Sequence, residues 1–291
     1  MALAIRQMPG NATIGASVVG ADLARDADDA TFGQIEDALH EHLVVVVRDQ
    51  KLSPEQHIRF SRRFGVLADH VLSPYALPGH PEIYVVSNIV ENGKPIGVAD
   101  AGPQWHSDFC YRERPSRCSL LYALEVPIID GVPRGDTLFS NTVAALEALP
   151  AGLKARVEKL QAVFSLTQSY EQRIKDGANL LPLTAEQKAK APDVVHPVVR
   201  THPYTGLRGL YACELNTKNI VGVSEDESRE LLTTIYTQVA RPEFVYRHQW
   251  RTGDLLIWDN VSVQHRAISK DYALPHRRRM HRTTVRGHAA F

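Results

Sequence analysis

Short runs rich in β-branched and aromatic residues, at 43–47, 82–86, 119–123, 198–201, 209–212, 244–249, 255–258 and 282–285, restrict the possible folds of this chain more than any other feature. Side chains of that kind suit a pleated, half-buried surface, so the runs predict strands. So many strands exclude a helical bundle. Their spacing is uneven and helices do not alternate with them, which argues against a doubly wound parallel sheet and for an antiparallel sandwich or barrel decorated with helices. The expected fold is mainly β with flanking helices, a jelly roll. Three helix starts are legible. Thr31 with Gln34 makes a capping box ahead of a stretch ending at Leu43; Ser53, Pro54 and Gln56 open another reaching Phe64; Ser224 with Glu227 opens a third through Val239.

No repeat, low-complexity tract or Gly/Ser linker divides the 291 residues, so a single domain spanning 1–291 is expected. Two stretches look like lid insertions: 88–104, with Gly93, Gly97, Gly102, Pro95 and Pro103, and 167–196, polar and weakly periodic. Lys plus Arg and Asp plus Glu both count 33, so nothing draws the chain in bulk to nucleic acid or an anionic membrane. Neither is an expected partner; a small anionic ligand would be recognised locally, and a homo-oligomer is expected. Three cysteines, Cys110, Cys118 and Cys213, without Cys-x-x-Cys spacing, favour a reducing compartment and give no hint of a zinc or iron-sulfur site. No apolar run is long enough for a signal peptide or spanning helix, and a cytoplasmic protein is expected.

The chemistry-bearing residues are Gln104 to Phe109, which include His106 and Asp108, and far downstream Trp258, Asp259, Asn260, Gln264 and His265. In an extended strand residues i and i+2 point to one face, so His106 and Asp108 could offer a nitrogen and an oxygen to one metal. Two histidines and one carboxylate on one face of an octahedron leave positions open for a bidentate cosubstrate and dioxygen, which suits iron(II). Between His276 and Arg282 lies a cluster of arginines. Residues 278, 280 and 282 would share one strand face, so Arg278 and Arg282 could both grip carboxylates of a dicarboxylic acid such as 2-oxoglutarate; a basic surface tail is the alternative. Trp105 and Trp258 read as packing residues.

Several motifs occur together: "SRRFG" at 61–65, "WHSD" at 105–108, "GDTLFSN" at 135–141, "HPVVRTHP" at 196–203, "EFVYRHQW" at 243–250, "WDN" at 258–260, "QHRA" at 264–267 and "RRMHRTTV" at 278–285. In these the chain resembles the taurine dioxygenase and 2,4-dichlorophenoxyacetate dioxygenase (TauD/TfdA) family of iron(II)- and 2-oxoglutarate-dependent oxygenases. The resemblance implies a double-stranded β-helix, a cupin-like jelly-roll core, with His106, Asp108 and His265 as metal ligands and catalytic centre. It implies that Thr137 and Arg282 hold the distal carboxylate of 2-oxoglutarate and that Arg278 lies near its metal-binding carboxylate. Thr137 could equally be a turn residue ahead of a helix through Leu149. The implied cofactors are iron(II), 2-oxoglutarate and dioxygen, and the implied reaction is hydroxylation coupled to formation of succinate and carbon dioxide.

The resemblance also implies a small organic acid as substrate, of the sulfonate, sulfate ester or aryloxyalkanoate type, with His70, Ser169, Tyr170 and Asn216 at the substrate. Taurine-specific relatives share His70 and Ser169 but carry Tyr, Asn and Phe where Ser73, Gly102 and Asn216 stand, which argues against taurine. Arg134 and Val261 also depart from the family pattern, at positions that bear on local packing. Two rivals remain: a zinc hydrolase on the same triad, which lacks an evident general base, and a non-catalytic jelly-roll binding protein.

Overall fold

Four consecutive valines, Val44–Val47, illustrate how this protein builds its strands: Val45 and Val47 are buried against one core, Val44 and Val46 against another. Successive strand side chains point to opposite faces, so a strand covered on both sides needs an unbroken apolar run. The alternation recurs in Leu255–Asp259, where Leu255 and Ile257 oppose Leu256 and Trp258, and in Ser116–Glu125, where Leu120 and Tyr122 oppose Leu121 and Ala123.

The computed structural model describes residues 3–9, 13–68, 75–99, 102–178, 180 and 182–291. Its main sheet has eight strands in the order Ala4–Gln7, Ala16–Val19, Val44–Val47, Leu255–Asp259, Ser116–Glu125, Arg279–Arg286, His80–Ser87 and Ala76–Leu77. The pairs are antiparallel except that between Ala16–Val19 and Val44–Val47. A three-stranded sheet of Val245–His248, Thr137–Asn141 and Val263–Ala267 faces it. Phe139, Tyr246 and Val263 from the smaller sheet join Val44, Leu121, Leu256 and Trp258 in the core between the layers. On the outer face, Ile35 and Leu39 of helix Asp29–His42 and Ile58 and Phe60 of helix Pro54–Ser61 pack on Val45, Leu120 and Ile257. These antiparallel layers are the expected jelly roll with flanking helices.

Each run predicted from the sequence overlaps a strand. The Thr137–Asn141 strand was hidden by its turn-like start; Asn141 then caps helix Thr142–Glu147, accepting from Val143 N and Ala144 N at 3.1 and 3.0 Å. The first helix begins three residues earlier than expected, because Asp28 rather than Thr31 is the cap and accepts from Thr31 N at 2.7 Å. A carboxylate there satisfies an orphan N–H and answers the helix dipole. Ser53 and Gln56 form the expected reciprocal box. None of the described helices is long and apolar enough to cross a membrane.

Where helix Pro54–Ser61 meets strand Arg279–Arg286, His57 is 1% exposed, with Nε2 3.3 Å from Thr283 Oγ1. Burial depresses its pKa to about 3, and that of His281 to about 4. Between an ordinary histidine value near 6.5 and these folded values the unfolded chain binds more protons than the folded one, so stability rises with pH across the window. The urea midpoint is therefore expected to fall as pH drops from about 7 toward about 4.5, and to fall less steeply in His57→Asn. An equal slope in parent and variant would contradict the assignment to His57.

Candidate metal centre and its cavity

An isolated bridge between two distant segments assembles the centre: His106 N–H donates to His265 O at 3.0 Å and His265 N–H to His106 O at 2.8 Å. Asp108 follows in a turn, with Phe109 in the left-handed region at φ 56°. The strand expected for 106–108 is thus replaced by a bridge and a turn, because Cys110 N and Arg112 N close back onto Ser107 O and Phe109 O. The side chains still converge. One ligand atom from each of His106, Asp108 and His265 lies within 4.8 Å of the others, and all three residues are buried. Among the described residues no other trio of His, Cys, Asp or Glu does this.

His106 Nδ1 is 2.9 Å from Gln104 O, and only a protonated nitrogen can bond a carbonyl, so Nε2 keeps its lone pair, 3.9 Å from Asp108 Oδ1. The His265 ring packs between Phe139 and Trp258, with centroids 6.0 and 4.8 Å away, so Trp258 is a packing residue as expected. Trp105 is likewise buried, in the core beside the neighbouring helices. Burial lowers both imidazole pKa values, that of His265 most. Burial pushes the Asp108 carboxyl up, but Arg282, the two imidazoles and Ser119 outweigh it and hold it below the ordinary carboxylate range. Near neutral pH the trio therefore offers two neutral imidazoles and a carboxylate, a donor set that fits iron(II).

Arg282 donates from NH1 to Asp108 Oδ1 at 2.8 Å. Arg278 is 4% exposed and lies against Gly135, where a Cβ would come within 3.1 Å of its Nε. Gly135 stands two residues before Thr137, which is buried and accepts from Trp250 Nε1 at 3.0 Å. The structure thus reverses the arginines relative to the sequence expectation: Arg282 sits at the metal centre and Arg278 on the Thr137 side. Strand periodicity gives the two a common face but not their depth. Register supplies it, since Arg279 pairs with Glu125 and Thr284 with Ser119, the residue that donates to Asp108 Oδ2 at 2.6 Å.

A cavity of about 410 Å³ opens onto the trio. Ser169, Tyr170, Asn216 and Gly102 line it, as does Arg282, whereas His70 and Ser73 lie outside the described residues. Asn216 Nδ2 donates to Ser169 Oγ at 3.1 Å, and Asn216 Oδ1 accepts from the Cys110 thiol at 3.4 Å, tying the wall to the metal loop. Sequence reasoning picked out Phe109 but missed Tyr75, Tyr84, Tyr111 and Arg173, which share no sequence pattern. The 167–196 stretch, read as loop, contains most of helix Leu166–Lys175 and all of Ala185–Lys190, whose caps are Ser165 and Thr184.

Residues 4–284 match the sequence model of the "Taurine catabolism dioxygenase TauD, TfdA family". The chain belongs to the TauD/TfdA family. It is 37% identical over 296 residues to a pentalenolactone F synthase of Streptomyces avermitilis, covering 98% of this chain and 94% of the relative. It is 31% identical to an alpha-ketoglutarate-dependent 2,4-dichlorophenoxyacetate dioxygenase of Cupriavidus pinatubonensis, with 93% of each covered. Among solved structures, a taurine dioxygenase from Burkholderia xenovorans superposes with a TM-score of 0.80 at 31% identity, covering 99% of this chain and 92% of that one. AAD-2 in complex with Mn(II) and N-oxalylglycine gives 0.79 at 30% identity, covering 99% and 98%. This TauD/TfdA member is an oxidoreductase, an iron(II)- and 2-oxoglutarate-dependent dioxygenase. These relatives support that activity rather than a zinc hydrolase or a binding protein.

Gly102, at φ +72°, makes room for the trio: a Cβ there would lie 2.2 Å from His106 Cε1 and 2.8 Å from Nε2. Gly102→Ala is expected to displace the ring and weaken Mn(II) binding about 10- to 100-fold in calorimetric titration, as loss of support for a ligand does. Parent-like affinity would contradict that reading of the packing.

Proposed function

We propose that His106, Asp108 and His265 hold iron(II), and that the substrate is a small organic acid with an aromatic or carbocyclic body, of the aryloxyalkanoate type. The carrying observation is the Arg282 guanidinium beside Asp108 in a cavity lined by five aromatic rings, Tyr75, Tyr84, Phe109, Tyr111 and Tyr170, with leucines and a few polar groups, Ser169, Arg173, Asn216 and Gln187, between them. Aromatic walls stack on planar apolar bodies, and a few convergent polar groups fix orientation. Two relatives named for aryloxy acids, the 2,4-dichlorophenoxyacetate dioxygenase and the (S)-phenoxypropionate dioxygenase of Sphingobium herbicidovorans, are 31% and 32% identical. Gly102 and Asn216, where taurine-specific relatives carry larger or apolar side chains, argue against taurine.

In this reading Thr137 and Arg278 hold the distal carboxylate of 2-oxoglutarate, supported by the packing of Arg278 on Gly135. Arg282 keeps one N–H on Asp108 and turns its remaining donors to the acid group of the substrate, which orients the adjoining carbon toward the metal centre. When bound, iron(II), 2-oxoglutarate and dioxygen supply the oxidising power, with succinate and carbon dioxide as coproducts. The segments 88–104 and 167–196 act as lids within a single domain: Val98 and Gly102 from one, and Tyr170, Leu183 and Gln187 from the other, line the cavity and exclude water.

Succinate release with iron(II), ascorbate and a panel of acids tests the proposal. Phenoxyacetates and carbocyclic carboxylates should stimulate release, while taurine and neutral amides of the same acids should not; stimulation by the amides equal to that by the acids overturns it. Arg278→Ala should cost about 2–5 kcal/mol of 2-oxoglutarate binding, the usual penalty for truncating one partner of a buried charge pair. Arg282→Ala should raise KM for the acid substrate and also weaken Mn(II) binding, since it removes the charge partner of Asp108. Unchanged 2-oxoglutarate affinity in Arg278→Ala removes its role.

A further inference from the structure

Asn260 lies outside the metal trio yet is bonded to it from several sides, and it is fully buried, as is Ser119. Its Oδ1 accepts from the Asp108 backbone N–H at 3.1 Å and from Trp258 Nε1 at 2.9 Å. Its Nδ2 donates to Ser119 Oγ at 2.9 Å, and its backbone oxygen accepts from Ser107 Oγ at 2.6 Å. A backbone amide and an indole N–H can only donate, so the amide oxygen must face them and the NH2 must face Ser119. Ser119 Oγ, already accepting that N–H, has its single proton left for Asp108 Oδ2, 2.6 Å away.

We infer that Asn260, acting through Ser119, is a positioning residue that makes Asp108 a one-oxygen metal ligand, with Oδ2 tied back to the barrel wall and Oδ1 turned to the centre beside Arg282. The inference rests on the proposal that Asp108 binds the metal. With Oδ2 held against Ser119 and Oδ1 facing His106 Nε2 at 3.9 Å, the carboxylate presents one oxygen to the centre, which keeps open the positions that a bidentate cosubstrate and dioxygen require. Bonds to the backbone of Asp108 and to Ser107 fix the turn while the relay fixes the carboxylate, so one amide governs both the place and the orientation of the ligand.

The test uses the full-length protein loaded with Mn(II) or Co(II). Ser119→Ala removes the proton given to Oδ2. Asn260→Asp keeps an acceptor for Trp258 and the Asp108 N–H but offers no N–H to Ser119, whose proton then turns to residue 260. Both variants are expected to weaken Mn(II) binding about 10-fold or more and to alter the visible absorption of the Co(II) form, which reports coordination number, while the metal-free melting temperature of Ser119→Ala stays near the parent's. Parent-like Mn(II) affinity and an unchanged Co(II) spectrum in Ser119→Ala overturn the relay, whatever Asn260→Asp does. A lowered melting temperature with an unchanged spectrum leaves Ser119 a merely structural role and overturns it too. Asp108→Ala separates the two levels: it should abolish Mn(II) binding, and retention of parent affinity there defeats the ligand assignment itself.

Discussion

The contact between Asp108 and Arg282, 2.8 Å long and drawn out of water, sets the electrical terms on which the site can exist. A buried charge is tolerated only when paired and hydrogen-bonded. Asp108 meets that condition with Arg282 on one oxygen and Ser119 on the other. Burial meanwhile keeps His106 and His265 uncharged, so the four side chains sum to neutrality. A divalent cation and the dianion of 2-oxoglutarate, added together, leave that sum unchanged, whereas either alone leaves charge uncompensated in a poorly solvated place. The protein's own charges thus favour joint occupation by metal and cosubstrate.

Geometry comes from the two layers. The smaller sheet carries His265 on Val263–Ala267 and Thr137 on the adjacent strand, with His265 opposite Phe139. The larger sheet carries Ser119 and Arg282 on paired strands, each placed by a register whose one-residue slip would turn it to the other face. His106 and Asp108 belong to neither layer; they are held between them, by the bridge to His265 on one side and by Asn260 and Ser119 on the other. Rigid sheets therefore fix the supports, and a short turn bearing two residues of the trio is fastened to both.

The layered core was legible because its signal is local. Four valines in a row, or Leu255 to Trp258, specify a strand buried on both faces without reference to anything distant. The Val263–Ala267 strand escaped notice because Gln264, His265 and Arg266 interrupt its apolar character. Gln264 is buried by bonding Leu210 O and Ala212 O, partners no sequence pattern reveals. The trio itself was legible from residue type and motif, but the depth of Arg278 and Arg282 was not, since it depends on which residue of Ser116–Glu125 each faces. Val261, which departs from the family pattern expected from the sequence, is 3% exposed in a tight turn, where its N–H bonds Asp259 Oδ1, a matter of packing.

Stability and selectivity are drawn from different parts of the chain. The metal supports lie in strands whose side chains are buried on both faces, where a change of one methylene is felt throughout the core. The outer wall of the cavity is built differently: helix Leu166–Lys175 buries only Leu166 and Ser169, and helix Ala185–Lys190 buries nothing. Elements with so few buried contacts contribute little to global stability and open at low cost. Their lining residues, among them Tyr170, Arg173 and Gln187, can therefore change without loss of the fold. The inner residues cannot, because Asn216 and Cys110 link the wall directly to the turn that carries Asp108. Substrate preference is consequently adjustable at the rim, while the reaction is fixed at the base by the same packing that holds the barrel together.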